Sequence, residues 1–219
     1  TFKGGSGDDV LDGGAGNDVL EGGANNSGAG TGDWVDYSTR TAGVEITLVS
    51  GAATAYVDTL TNGIETHTAT EEEDSLTGIE NIKGSTVKDS LVGESIGNSL
   101  LGMAGNDTLK GEGGADYIDG GADNDSIYGG ADDDSIYGGD DNDIIDGGSG
   151  DDTLSGDAGK DTLRGGTHTI TTGVQGSSDP LSGKGDTANY SYLDAGTNKI
   201  VVDLSSNQAI VYNGSTAST

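Results

Sequence analysis

Cysteine is absent from the 219 residues, and proline, phenylalanine, tryptophan and methionine occur once each. Without cysteine there is no disulfide scaffold and no thiolate metal site, although the compartment stays open. Positive charge is scarce: 9 Lys+Arg face 38 Asp+Glu, for a net charge of −29. That balance excludes a nucleic-acid partner recruited by a basic surface. No apolar run approaches the ~18 residues of a membrane helix, and no basic stretch leads into an apolar one as a secretion signal would. Leu, Ile, Val and Phe together make 40 residues, under one fifth of the chain. At this charge such a composition describes a disordered protein. What is plentiful points elsewhere: 42 Gly, and 29 Asp against only 9 Glu. Solvating tails lean on Glu, whereas Asp and Gly suit turns and oxygen ligation. The chain is therefore either unfolded or completed by cations.

An internal repeat decides between these. From Gly84 to Arg164 the sequence keeps an unbroken nine-residue phase over nine units, as in Gly102-Met-Ala-Gly-Asn-Asp-Thr-Leu-Lys110. Position eight is always a large aliphatic: Leu91, Leu100, Leu109, Ile118, Ile127, Ile136, Ile145, Leu154 and Leu163. Position six is Asp89, Asn98, Asp107, Asp116, Asp125, Asp134, Asp143, Asp152 and Asp161. The last three residues of a unit read as a minimal strand with one inward side chain, and the first six as a Gly-rich turn. Two units make one 18-residue turn of a coil, so units i and i+2 stack as parallel strands about 4.8 Å apart. A helix is excluded, because each Gly would cost about 1 kcal/mol. Stacking sets Asp107 beside Asp125, Asp116 beside Asp134, and so on along both series. Like charges repel at that range unless a hard cation with many oxygen ligands lies between them. Calcium tolerates irregular oxygen cages better than magnesium, so several Ca2+ ions are expected, with the Asn98 pair the weaker binder.

The units resemble the Gly-Gly-x-Gly-x-Asp-x-aliphatic-x nonapeptides of the RTX (repeats-in-toxin) family. The resemblance implies an all-β fold, a right-handed parallel β-roll with calcium between turns. It also implies ligands: the position-six side chains Asp9, Asp18, Asp89, Asn98, Asp107, Asp116, Asp125, Asp134, Asp143, Asp152 and Asp161. Turn backbone would complete the sites at Gly102, Gly105, Gly111, Gly114, Gly120, Gly121, Ala122, Gly129, Gly130, Ala131, Gly138, Gly139, Gly147, Gly148 and Gly150. Position four departs from Gly at Val87, Ile96, Asp123, Asp132 and Asp141, which makes the first two units the poorest sites.

The flanks give the domain reading. Residues 1–23 read as the end of an upstream β-roll: two repeats carry Asp9-Val-Leu11 and Asp18-Val-Leu20, and a third from Gly22 decays with Ser27 where Asp is due. Residues 24–83 read as a β-strand insert and a return to phase, with Trp34 and Tyr37 as its core and Glu80 in the Asp position. Residues 84–166 are the main roll. Residues 167–219 read as a second, truncated β-strand insert. Gly185-Asp-Thr-Ala-Asn-Tyr190-Ser191 and Ile200–Leu204 repeat Gly32–Ser38 and Val44–Leu48 at offsets of 153 and 156 residues. Such alternation resembles the repeat regions of large secreted RTX adhesins and surface-layer-like proteins, which implies a secreted, cell-surface bacterial location and type I secretion. The expected partners are calcium and adjoining repeats or like subunits.

Catalysis finds no footing. His67 and His168 are isolated in Thr-rich stretches, and HExxH, GxSxG and Walker patterns are absent. The Gly-x-Gly runs precede no helix, and the EF-hand spacing fails. The reading is therefore a non-catalytic calcium-binding structural module, a spacer or lattice element. The alternative is a calcium-dependent carbohydrate-binding or targeting module attached to a secreted enzyme. Outward Tyr117, Tyr128 and Tyr137 would serve surface glycans in that case, although parity puts Tyr128 and Tyr137 on different sheets.

Overall fold

The computed structural model describes residues 1–24, 32–49, 53–57 and 72–167, with the backbone of three further strands at Thr187–Asn189, Asn198–Asp203 and Gln208–Asn213. Among these residues every regular element is a strand. The chain winds as a parallel β-solenoid of about eight turns with about 18 residues per turn.

The position-eight aliphatics explain why. In one sheet Leu100 pairs with Ile118, Ile118 with Ile136, and Ile136 with Leu154. In the other, Leu91, Leu109, Ile127, Ile145 and Leu163 stack in the same way. None of these nine is more than 2% exposed. A side chain buried this fully is worth about 1.5–3 kcal/mol, so the two aliphatic columns are the main apolar support of the roll.

The strands are longer than the triplets expected from sequence. Ser99–Ala104, Thr108–Gly113, Tyr117–Ala122 and their successors each run six residues and absorb the first three residues of the next unit. Two-residue alternation then gives each strand a second inward position, and that position is always the first Gly of the unit. Gly102, Gly111, Gly120, Gly129, Gly138 and Gly147 are all buried there. A residue with no side chain can face inward and leave room for something else, which is why a six-residue strand survives so much glycine.

The insert is woven into the same two sheets. Val44–Thr47, Ala53–Val57 and Glu72–Thr77 pair antiparallel with one another. Their outer edges pair parallel with the roll, Leu20 against Leu76 and Ile46 against Leu91. The opposite sheet runs on without a detour, Leu11 against Val35, Val35 against Ile82, and Ile82 against Leu100. Tyr37 is fully buried, as the sequence suggests, but Trp34 is only partly covered. In the three-residue strand Trp34–Asp36 the middle residue faces the core, so Val35 holds the inward slot.

Beyond the main roll, Thr187–Asn189 extends one sheet with Ala188 against Leu154, echoing Val35 against Leu11. Gln208–Asn213 lies antiparallel on Thr162–Thr167, with Asn198–Asp203 outside it. His67, Glu71, His168, Tyr190, Ser191 and Leu204 lie outside the described residues.

Candidate metal centre

Two ladders of carboxylates run along the roll, one on each flank. The backbone N–H of each ladder residue donates to Oδ1 of its counterpart one turn on. On one flank Asp89 reaches Asp107, Asp107 reaches Asp125, and Asp125 reaches Asp143, all at 2.8 Å, and Asp143 reaches Asp161 at 3.0 Å. On the other, Asn98 reaches Asp116 at 2.7 Å, Asp116 reaches Asp134 at 2.9 Å, and Asp134 reaches Asp152 at 3.0 Å. The side chains expected to be neighbours are thus brought together, each at most 3% exposed.

Along the middle of the ladders one oxygen of each carboxylate is used and the other is stranded. Oδ2 of Asp107, Asp116, Asp125, Asp134 and Asp143 is buried with no hydrogen-bond partner. The inward glycines show what it faces. A Cβ built on Gly120 would lie 2.3 Å from Asp125 Oδ2 and 2.5 Å from the Gly138 carbonyl oxygen. On Gly129 it would meet Asp134 Oδ2 at 2.3 Å and the Gly147 carbonyl at 2.4 Å. Gly102 and Gly111 repeat the pattern against Asp107 with Gly120, and Asp116 with Gly129. Each of these buried carboxylate oxygens thus shares the space in front of an inward glycine with a carbonyl oxygen of the next turn, and has no hydrogen-bond donor of its own.

The cost appears in the acidities. Burial, which strips water from the charged form, pushes Asp107 up to about 9, aided by the Asp89, Asp125 and Asp123 carboxylates around it. Burial likewise raises Asp134 and Asp143 to about 8, and Asp116 and Asp125 to about 7. Asp161 rises only to about 6. Asp89 also reaches about 6, held lower by hydrogen bonds from Val44 and Ser85.

The chemistry suits a hard cation. Stranded anionic oxygens beside carbonyl oxygens are calcium's preferred donors, and an ion there would supply the positive charge that the ladders lack. Among the described residues no three acidic or histidine side chains converge on one point. Backbone oxygens would thus have to complete any coordination.

The other residues expected at the sites fall into two groups. Gly121, Gly130, Gly139 and Gly148 hold position two with positive φ of 106–123°. Gly105, Gly114 and Gly150 hold position four, also with positive φ, while Ala122 and Ala131 end their strands. Asp123, Asp132 and Asp141 take the same left-handed position-four conformation at φ 77°, 76° and 74°. Val87 and Ile96 do not, because a β-branched residue resists it. In those two units the position-two N–H turns onto the ladder side chain, Ser85 to Asp89 Oδ2 and Glu94 to Asn98 Oδ1, each at 2.7 Å.

At the amino-terminal end, Asp9 N–H donates to Asp33 Oδ1 and Asp18 N–H to Asp74 Oδ1, both at 2.8 Å. Asp33 and Asp74 are fully buried rungs that the nine-residue phase does not reach. Their signal is local: each stands two residues before an inward aliphatic, Val35 or Leu76, as every ladder Asp does. Glu80, expected in the Asp position, accepts the Asp33 N–H at 2.9 Å.

A comparison with curated proteins finds no match. Comparison with protein families matches the RTX calcium-binding nonapeptide repeat in four copies, over residues 1–27, 92–127, 122–154 and 137–167. The matches cover both repeat segments and resume at residue 92, where the unit whose turn closes on Ser85 ends. The repeats of this chain belong to the RTX calcium-binding nonapeptide-repeat family.

Proposed function

We propose that the chain is a structural module that folds when calcium fills its Asp ladders outside the cell, serving as a spacer or lattice element of a secreted or cell-surface bacterial protein. The observation that carries this reading is the row of buried, unpartnered Oδ2 atoms facing carbonyl oxygens. The ligands would be the ladder carboxylates from Asp107 to Asp161 with the turn backbone between them, and Asp9 and Asp18 upstream. The chain's own residues supply the rest: aliphatic columns hold the sheets, glycines leave room for ions, and N–H to Oδ1 bonds fix each carboxylate's orientation.

Residues 84–164 carry 19 acidic and 4 basic side chains, a net of −15 that opposes a closed roll without cations. Extracellular calcium modules bind at about 10⁻⁴–10⁻³ M, so a calcium-poor interior would leave the roll open and an exterior would close it. Because ions bind only the folded state, filling several sites makes folding steep in calcium. Segments 1–23, 24–83, 84–166 and 167–219 would act as alternating rolls and braces of one rod, a pattern suited to length. Small-angle scattering tests this: calcium should turn an expanded coil into a stiff rod, and a compact globule would contradict it.

The alternative, a calcium-dependent carbohydrate-binding module, gains from one contact. Tyr117 and Tyr137 lie together on the outer face of one sheet, ring centroids 5.5 Å apart and tilted by 41°. Binding on a glycan array, lost with chelator and with Tyr137→Ala, would favour that reading.

A further inference from the structure

We propose a calcium site outside the nonapeptide phase, formed by the carboxylates of Asp9 and Asp33 with the carbonyl oxygens of Gly22 and Gly78, which staples the insert shut. It rests on the reading of stranded ladder oxygens as calcium ligands. In the main roll each cradle is built from residues 18 apart: Gly102 faces Asp107 Oδ2 and the Gly120 carbonyl. Continuing the phase from Gly4 and Gly22 would require Gly at 40 and Asp at 27, where the chain has Arg40 and Ser27. The fold repairs both losses from distant sequence.

A Cβ on Gly4 would lie 2.6 Å from Asp9 Oδ2 and 2.7 Å from the Gly22 carbonyl oxygen. On Gly22 it would lie 2.4 Å from Asp33 Oδ2 and 1.9 Å from the Gly78 carbonyl oxygen. Oδ2 of both Asp9 and Asp33 is buried without a partner, and Asp33 is wholly inaccessible. Asp33 Oδ1 is held by the Asp9 N–H, and the Asp33 N–H by Glu80, so the free oxygen is fixed in place. This is the arrangement of the main roll, rebuilt from the end of the upstream roll, the start of the insert and the segment that returns from it.

The neighbouring rungs are closed by the protein itself. Asp74 Oδ2 accepts the Tyr37 hydroxyl at 2.8 Å, and Asn98 Nδ2 donates to the Glu80 carbonyl at 2.7 Å. Stranding is thus a property of particular rungs and not of every buried carboxylate near the insert. An ion at Asp33 would join Gly22 to Gly78 and close the chain from 33 to 78 into a loop.

The sole tryptophan, Trp34, adjoins Asp33 and reports on the site. Terbium(III), a hard oxygen-seeking ion, is titrated into the full chain with excitation of tryptophan and, separately, of tyrosine. The wild-type protein is expected to show tryptophan-sensitised terbium emission that calcium displaces. Asp33→Asn should weaken that signal's apparent affinity about tenfold or more, a loss of the size seen when a metal site's support is removed. Tyrosine-sensitised emission and calcium-induced β-structure of the main roll should persist in the variant. Absence of tryptophan-sensitised emission in the folded wild type would overturn the proposal even if the variant failed to fold. So would emission unmoved by Asp33→Asn. If calcium folded nothing and neither chromophore sensitised terbium, the underlying reading of the ladders would fall as well.

Discussion

Replacing Gly120 by alanine separates the oxygen cradle from every other role of glycine. Gly120 does not have a positive φ, so alanine meets no backbone strain there. Its Cβ would instead stand 2.3 Å from Asp125 Oδ2 and 2.5 Å from the Gly138 carbonyl oxygen. Both are well inside contact distance, and the carbonyl belongs to backbone in the middle of a sheet, which yields little. Overpacking of this kind costs about 1–3 kcal/mol. If the displaced oxygens are calcium ligands, the same change weakens the ion's site. At 1.4 kcal/mol per factor of ten, that energy equals about a five- to hundredfold change in calcium for a single ion, and with n ions taken up together on folding the midpoint should rise by the nth root of that factor. Gly113→Ala is the control. Its Cβ would find only Ser95 Cα at 3.6 Å, an ordinary contact, and it too lacks a positive φ. The loss of unfolded-chain freedom should leave that variant neutral or up to about 1 kcal/mol more stable. The assay is far-UV circular dichroism against free calcium for both variants and the wild type. Equal midpoints for Gly120→Ala and the wild type, or equal shifts for the two alanines, would refute the cradle.

Three further outcomes follow from the same geometry. In chelator, ladder carboxyls raised from 3.8 to about 6–9 keep protons in the folded roll that the unfolded chain has already released. The stability they give is full below pH 4 and lost as pH rises through 6–9. A group raised to about 7 withdraws roughly 4 kcal/mol by neutral pH, so two or three rungs offset a whole domain's 5–15 kcal/mol. β-Structure in chelator should therefore be greatest near pH 4, and greater β-structure at pH 8 than at pH 4 would contradict this. Ile118→Ala, at a fully buried position stacked between Leu100 and Ile136, should cost about 2–5 kcal/mol in calcium-saturated urea unfolding; a loss under 1 kcal/mol would be inconsistent with a packed column. Tyr37→Phe removes the hydroxyl that satisfies Asp74 Oδ2 and should destabilise the insert by about 1–3 kcal/mol, read by hydrogen exchange at Leu76 and Ile46; unchanged protection would show that bond to be dispensable.

What the sequence makes legible is what its period makes local. Position eight predicts the columns and position six predicts the ladders, because both need only the 18-residue stacking distance. Val87 and Ile96 likewise announce that the first two turns differ, since no β-branched residue takes the left-handed turn easily. The six-residue strands are harder to foresee. Gly102 or Gly120 looks like turn material until the inward alternation of the whole strand is drawn. The insert hides more. Gly22 meets Gly78, and Asp18 meets Asp74, across 56 residues of non-repeating chain, and no spacing rule connects them. The Tyr37 hydroxyl on Asp74 belongs to the same class. Each is a product of tertiary closure, although an Asp two residues before an aliphatic marks Asp33 and Asp74 in retrospect.

The central claim is that cations complete this fold, and a calcium titration followed by far-UV circular dichroism, with magnesium in parallel, tests it most directly. The expected result at neutral pH is a coil spectrum in chelator that becomes β-rich over a narrow range of calcium, and does not respond to equal magnesium. A β-rich spectrum that a strong chelator leaves unchanged would contradict the claim, and the stranded Oδ2 atoms would then need another partner.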